Sequence, residues 1–106
     1  MSVVFALATP PAKSAICVFR VSGQGCLEGL SKLLNGSLIN HRVFSLKSIY
    51  QDERLVDKVG VVSFKGPESY TGEDSFEIYA HGGLGVMTLL VEIFKELGFE
   101  EAPPGE

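Results

Sequence analysis

Five stretches of the chain have the hydrophobic pattern of β-strands. They are apolar runs of strand length, or runs in which apolar and polar residues alternate, and glycine, proline or clustered polar residues bound them. The predicted strands cover residues 3–8, 15–21, 43–50, 55–64 and 75–81. The polar turn at residues 51–54 joins the third strand to the fourth, which predicts an antiparallel hairpin.

Two further stretches have the period of an α-helix. The first follows Ser22, which we interpret as its N-cap, and ends at Asn35-Gly36. The second covers residues 84–97 and stops at Gly98. Each has one apolar stripe, so both helices are expected to pack on a sheet.

The order of these elements is β-β-α-β-β-β-α. It predicts an α+β domain, a mixed sheet of about five strands with two helices. Residues 1–98 are predicted to form this domain. Residues 99–106 carry two prolines, a glycine and three acids, and are predicted to be an exit linker.

The fifth predicted strand separates core residues from residues that can do chemistry. One face carries Phe76, Ile78 and Ala80, and the other carries Ser75, Glu77, Tyr79 and His81. Gly82 and Gly83 then lead directly into the second helix. The first N–H groups of a helix have no partner within it, so this corner suits an anion or a polar ring edge.

Arg20 is out of place in the second predicted strand. The strand is otherwise apolar on both faces, which is typical of a central strand covered on both sides. Burying a guanidinium without a partner is costly, so either this end of the strand reaches solvent or an anion meets Arg20, and Glu77 on the fifth strand is the candidate. The two residues either form an ion pair that braces neighbouring strands or border a shared hollow for a ligand. A pterin ring would suit them, because it offers both acceptors and donors.

A metal site and a nucleophilic site are not predicted. The Cα atoms of Glu77 and His81 are four strand residues apart, or about 13 Å, too far for one ion. His81 serves general acid-base work, fixes a ligand or is only a hydrogen-bonded corner residue, and these alternatives stay open. No nucleophile motif or Gly-x4-Gly-Lys-Ser/Thr loop occurs in the chain.

Composition limits the classes of partner. The chain has 106 residues, 9 Lys and Arg against 13 Asp and Glu, and a formal net charge of −4. This balance argues against a nucleic-acid-binding surface, which needs clustered cations. The two cysteines indicate buried, reduced thiols. No apolar run is long enough to cross a bilayer, so we expect a cytoplasmic protein without a membrane partner.

Several segments, taken together, resemble one known family. They are residues 8–11 (Ala-Thr-Pro-Pro), 19–23 (Phe-Arg-Val-Ser-Gly), 67–74 (Pro-Glu-Ser-Tyr-Thr-Gly-Glu-Asp), 77–83 (Glu-Ile-Tyr-Ala-His-Gly-Gly) and 102–106 (Ala-Pro-Pro-Gly-Glu). Their order and spacing resemble the N-terminal domain of the tRNA modification GTPase MnmE, also called TrmE. Ala12 departs from the pattern, since a glycine is common there.

The resemblance implies a fold related to the tetrahydrofolate-binding module of the glycine cleavage T protein. It also implies a homodimer that holds a tetrahydrofolate one-carbon donor, in the formyl or methylene form. The family's folate contacts carry over to Arg20 and Glu77, and His81, Gly82 and Gly83 are implied to line the same site. The alternative is a purely structural dimerisation module in which no folate binds.

The resemblance implies further partners for the full protein. With a flavin-dependent partner, MnmG or GidA, it would add an aminomethyl-type group to the wobble uridine of tRNA. GTP, Mg and K would belong to a separate G domain, which this chain does not reach. We expect the fragment to meet tRNA only in the full complex and to perform neither GTP hydrolysis nor tRNA modification alone. No catalytic residue is assigned.

Overall fold

One mixed sheet with two helices on one of its faces makes up the part of the chain that the structure describes. A computed structural model describes residues 3–8, 16–37, 39–66 and 72–102. The strands are β1 (Val4–Leu7), β2 (Ile16–Ser22), β3 (Ser45–Gln51), β4 (Arg54–Phe64), β5 (Ser75–His81) and β6 (Glu100–Glu101). The helices are α1 (Cys26–Leu33) and α2 (Leu84–Glu96). The predicted α+β class and mixed sheet are confirmed.

The sheet has the strand order β3-β4-β5-β2-β1-β6. The pairs β3 with β4, β4 with β5, β5 with β2, and β2 with β1 are antiparallel, whereas β1 and β6 are parallel. The hairpin predicted between β3 and β4 is confirmed. Its two turn residues, Asp52 and Glu53, have φ angles of 49° and 70°, as a tight two-residue hairpin turn requires.

The short sixth strand was not predicted. Its two residues are too few to show an alternating pattern, and the pairing depends on packing: Phe99, 7% exposed, is buried beside it. The N–H of Glu100 donates to the carbonyl of Val3 at 2.8 Å, and the N–H of Ala102 to the carbonyl of Phe5 at 2.8 Å. The division into a domain and a linker stays a prediction. Residues 9–11, 67–71 and 103–106 of the family-like segments lie outside the described residues.

The core lies between the two helices and one face of the sheet. Phe5, Phe19 and Phe94 form an aromatic cluster with ring centroids 5.0–6.5 Å apart. On β5, Phe76 and Ile78 are fully buried, which confirms the predicted alternation of that strand. Burial of these large side chains is the main stabilising contribution to the fold, at roughly 1.5–3 kcal/mol per side chain.

The expectation that β2 is covered on both sides is wrong. Cys17, Phe19 and Val21 are buried, but Ile16 is 52% exposed and Arg20 is also exposed. The physical reason is that both helices pack on the same side of the sheet. Their buried residues form a single cluster there, so the other side has no helix over it among the described residues. We call the other side the open face; it carries Val18, Arg20, Gly60, Glu77 and Tyr79.

The N-cap prediction for the first helix is also wrong. Ser22 is the last residue of β2, and the cap of α1 is Gly25, with φ at 92°. The N–H of Gly23 continues the sheet by donating to the carbonyl of Asp74 at 3.0 Å. The chain then needs a left-handed turn before the helix can begin, and glycine adopts that conformation at no steric cost.

A substitution at Gly29 tests how closely α1 packs against Phe99. A Cβ atom at Gly29 would lie 2.5 Å from Cζ of Phe99. We expect Gly29→Ala to lower the free energy of unfolding by about 1–2 kcal/mol, because the ring must leave its place against Phe94 and this overpacking cost exceeds the gain in helix propensity. Urea unfolding checks this value.

Gly85 in α2 is the matched control, because a Cβ there would meet nothing within 4 Å. Gly85→Ala should be neutral or stabilising by up to about 1 kcal/mol, since alanine favours helices. Stabilisation by both substitutions would contradict the close contact between Gly29 and Phe99.

Candidate functional site

Arg20 and Glu77 lie directly opposite each other on β2 and β5. Arg20 Nε donates to Glu77 Oε2 at 2.9 Å. The Arg20 side chain is 58% exposed and that of Glu77 14%. The structure therefore brings the two predicted residues together on the open face, where they form the ion pair that was one of the two alternatives.

Tyr79 completes this polar group. It lies two residues beyond Glu77 on the same face of β5, and its hydroxyl donates to Glu77 Oε1 at 2.8 Å. Both carboxylate oxygens of Glu77 thus accept a hydrogen bond, one of them from a cation, which fixes the carboxylate in place. The alternation in the sequence predicted that Tyr79 lies on this face, but nothing in the sequence indicated its role.

The hollow beside the ion pair is small. Arg20, Glu77, Phe64 and Ser75 are among the residues that line a cavity of about 40 Å³, close to the volume of one water molecule at about 30 Å³. The hollow beside the ion pair is therefore too small for the pterin ring that the sequence suggested.

The Ser75 hydroxyl is buried and has no hydrogen-bond partner among the described residues. A buried polar group in that state costs about 1–3 kcal/mol, so this position favours a polar atom from water or a ligand.

Two aromatic rings lie next to this group on the open face. Phe44 and Tyr79 meet edge to face, with ring centroids 5.5 Å apart. The Phe44 ring lies over Gly60, where a Cβ atom would overlap it. Phe44 is 57% exposed, so its ring can contact a ligand or another chain. Sequence reasoning missed Phe44; the available signal was a glycine within an apolar strand, which often marks close approach of another group.

His81 is held by a residue that the sequence analysis also missed. Its Nδ1 lies 2.8 Å from Asp57 Oδ1, and its backbone N–H donates to Asp57 Oδ2 at 3.1 Å. Because a carboxylate only accepts, Nδ1 carries the proton in this pair, and Nε2 of a neutral ring is then an acceptor. Asp57 was detectable as an acidic residue within an apolar strand.

His81 and the two glycines do not join the Arg20 and Glu77 pair. His81 lies opposite Ile16, four residues along β5 from Glu77, or about 13 Å. Gly82 and Gly83 follow it, and Gly83 has an extended backbone with φ at −175°, so its conformation does not require glycine. Within the described ranges, no three His, Cys, Asp or Glu side chains converge as metal ligands would.

The two cysteines are buried thiols. Burial raises the pKa of Cys26 to about 12, and the carboxylates of Asp74 and Glu73 add to this shift. Burial also raises the pKa of Cys17, with a smaller contribution from Asp57. Both are free cysteines rather than a disulfide. Since the thiolate is the nucleophile, neither residue has the properties of a catalytic cysteine.

Comparison with known proteins identifies the family. Residues 3–106 match the family model described as GTP-binding protein TrmE N-terminus. The chain belongs to the TrmE N-terminal family. The resemblance inferred from the sequence motifs is therefore confirmed, and it extends across the open face and both helices.

The relatives in this family are longer proteins. The chain is 40% identical to the tRNA modification GTPase MnmE of Anaplasma marginale over 97% of its own length and 23% of the relative's. It is 40% identical to that of Thermotoga maritima, over 100% and 24%. It is 38% identical to the tRNA modification GTPase mss1, mitochondrial, of Schizosaccharomyces pombe, over 97% and 22%. The chain thus spans about a quarter of the length of these TrmE relatives. No helix among the described residues is long and apolar enough to span a membrane.

A double-mutant cycle tests the ion pair of this TrmE domain. We expect a coupling free energy between Arg20→Ala and Glu77→Ala of about 0.2–1 kcal/mol, because Arg20 is largely exposed. Glu77→Ala should cost more than Arg20→Ala, since it also removes the acceptor of the Tyr79 hydroxyl. Urea unfolding of the four proteins measures both quantities. A coupling above about 2 kcal/mol would show a desolvated pair instead.

The alkaline stability of the domain tests the burial of Cys26. The unfolded thiol ionises near its ordinary pKa of 9.0, whereas the folded thiol stays protonated up to about pH 12. The stabilisation from this difference is complete below about pH 9 and is lost as the pH rises toward 12. Above pH 9, the free energy of unfolding should fall by up to about 1.4 kcal/mol per pH unit from this group.

Cys26→Ala is the control for this slope. The substitution removes the Cys26 contribution while leaving Cys17 in place, so its stability should decline less steeply than that of the parent protein between pH 9 and 11. Urea unfolding in the presence of a reductant gives both curves. Parallel curves for the two proteins would contradict the raised pKa.

Proposed function

We propose that this chain is the folate-binding and homodimerisation domain of a tRNA modification GTPase. The full protein, with a flavin-dependent partner of the MnmG or GidA type, would add an aminomethyl-type group to the wobble uridine of tRNA, using a tetrahydrofolate one-carbon donor. The proposal is supported by membership of the TrmE N-terminal family, whose relatives are named tRNA modification GTPases.

The observation that carries the folate assignment is the polar group formed by Arg20, Glu77 and Tyr79. A carboxylate has about four acceptor sites, and two hydrogen bonds to Glu77 are seen. Glu77 can therefore keep both contacts and accept from the amino and ring N–H groups of a pterin. A guanidinium with five N–H donors can likewise hold Glu77 and an acceptor group of a ligand together. The rings of Phe44 and Tyr79 offer an apolar contact for a flat heterocycle.

The small hollow favours a site that is closed by a second copy of the chain. A pterin ring does not fit in about 40 Å³, so the open face alone supplies one wall of a pocket. Ile16, Phe44 and Leu46 are 52%, 57% and 77% exposed beside that wall. Exposed apolar groups of this size are typical of a surface that another protein covers. We infer that homodimerisation buries them and encloses the ligand.

His81, Gly82 and Gly83 would contact a different part of the same ligand. At about 13 Å along β5 from Glu77, they can reach the benzoyl-glutamate arm but not the pterin held at Glu77. GTP, Mg and K would bind only in the G domain of the full protein. A cytoplasmic location stays a prediction, since the name of one relative includes "mitochondrial".

Calorimetric titration with 5-formyltetrahydrofolate tests the folate assignment. Arg20→Ala and Glu77→Ala should each weaken binding about tenfold or more, because each removes a charged contact to the ligand. The matched control is Lys95→Ala, which breaks the exposed ion pair between Lys95 and Glu101, 3.7 Å apart. It should bind like the parent protein. Equal affinities in all four proteins would overturn the assignment.

The second candidate is a purely structural dimerisation domain. The direct ion pair between Arg20 and Glu77 favours it, because the two residues satisfy each other without a ligand. In that case both substitutions would lower the melting temperature of the protein. Added folate would not raise the melting temperature of the parent protein or of either variant. Thermal unfolding with and without folate therefore separates the two candidates.

A further inference from the structure

A cavity of about 680 Å³ lies along the outer edge of β3. In the described sheet β3 is the terminal strand on this side. The cavity has the size of a small-molecule site, since such sites span about 300–1,000 Å³. Its lining residues are Leu34, Asn35, Ser37, Leu46, Lys47, Ser48, Tyr50 and Lys58.

The lining of this cavity is positively charged, whereas the chain as a whole has a net negative charge. The lining contains Lys47 and Lys58 and no carboxylate, although acidic residues outnumber basic ones 13 to 9 in the whole sequence. Lys47 Nζ donates to the hydroxyl of Ser37 at 3.1 Å, which directs the ammonium group toward the cavity wall. Hydroxyls of serine and tyrosine supply further donors. The cavity thus favours an anion that carries several acceptor groups.

Two carbonyl groups at the nearby end of α1 accept hydrogen bonds from the backbone that follows the helix. The carbonyl of Ser31 accepts the N–H of Gly36 at 2.8 Å, and the carbonyl of Leu34 accepts the N–H of Ser37 at 3.2 Å. These bonds cap the last turn of the helix. Lys47 and Lys58 are the charged side chains in the lining of the cavity.

The cavity reaches the open face at Leu46 and Lys58 and wraps around the edge of β3 to Lys47, which lies on the side that faces α1. Leu46, in its lining, lies opposite Gly60, which lies opposite Tyr79. Lys58 is two residues from Gly60 on β4, so it points to the same face. Ser48, in the cavity lining, is offset from Glu77 by four residues, or about 13 Å, along the strands and by two strand spacings, or about 10 Å, across them, which is a straight-line distance of about 16 Å.

We propose that this cavity binds the γ-linked oligoglutamate tail of a polyglutamylated folate. The inference rests on the proposed function and names the form of the ligand that the site selects. About 16 Å is the reach of roughly five residues of extended chain, and the pterin ring, benzoyl group and first glutamyl unit of an extended folate held at Glu77 together approach this length. Each additional glutamyl unit adds one carboxylate, and Lys47 and Lys58 pair with these groups.

The test compares mono- and triglutamyl 5-formyltetrahydrofolate by calorimetry. The parent protein should bind the triglutamyl form about three- to tenfold more tightly, and the gain should shrink with added salt, because the ion pairs are exposed. A Lys47→Ala, Lys58→Ala double variant should lose this gain. Lys95→Ala, on the outer side of α2, should behave like the parent protein.

The outcomes separate this inference from the proposed function. Equal affinity of the parent protein for the two forms overturns the oligoglutamate site and leaves folate binding standing. Binding of neither form overturns both. A gain that persists in the double variant places the tail elsewhere and also overturns the inference.

A probe without a pterin tests the cavity independently. The compound p-aminobenzoyl-triglutamate should shift the backbone amide NMR signals of Lys47 and Lys58 in the parent protein, and these shifts should vanish in the double variant. Restoration of the shifts by Lys47→Arg, Lys58→Arg would show that positive charge is what the site requires. Shifts confined to other residues would contradict the assignment.

Discussion

The pairing of β2 with β5 is the constraint on which both the core and the candidate site depend. The two strands pair without interruption from Ile16 opposite His81 to Ser22 opposite Ser75. A shift of one residue would turn the apolar side chains of one strand to solvent and its charged side chain into the core, where an unpaired charge costs several kcal/mol. Hydrophobic burial therefore selects the register, and the register places Arg20 beside Glu77. The ion pair between Arg20 and Glu77 therefore depends on the packing of the core.

Much of this fold could be predicted because one-sided burial leaves a periodic pattern. The alternation in β5 and the apolar run in β4 located those strands, and the polar turn between β3 and β4 located the hairpin. The features that escaped prediction depend on contacts between distant residues. β6 is held by two hydrogen bonds to β1 and by the burial of Phe99, neither of which a two-residue sequence reveals. The exposed side of β2 was missed because the exposed face of a strand can be as apolar as a buried one.

The candidate site was predictable to the extent that a charge interrupts an apolar strand. Arg20 stood out for that reason, and Glu77 stood out as its partner. The same rule would have found Asp57, which holds His81. Phe44 follows a different rule, because the signal for it lay in Gly60 on a neighbouring strand and not in Phe44 itself. Whether a charged pair serves a ligand or only bridges two strands depends on the shape of the space around it, and sequence does not encode that shape locally.

The parallel pairing of β1 with β6 determines how this domain would carry mechanical load. β1 lies at the start of the described chain and β6 at its end, and the two strands run in the same direction. Tension applied between the two ends would therefore act along the strands and strain the bonds from Glu100 to Val3 and from Ala102 to Phe5 together. Rupture in this shear geometry requires both bonds to fail at once. Tension transmitted through β1 and β6 would therefore move the domain as a unit before the tension separated the two strands.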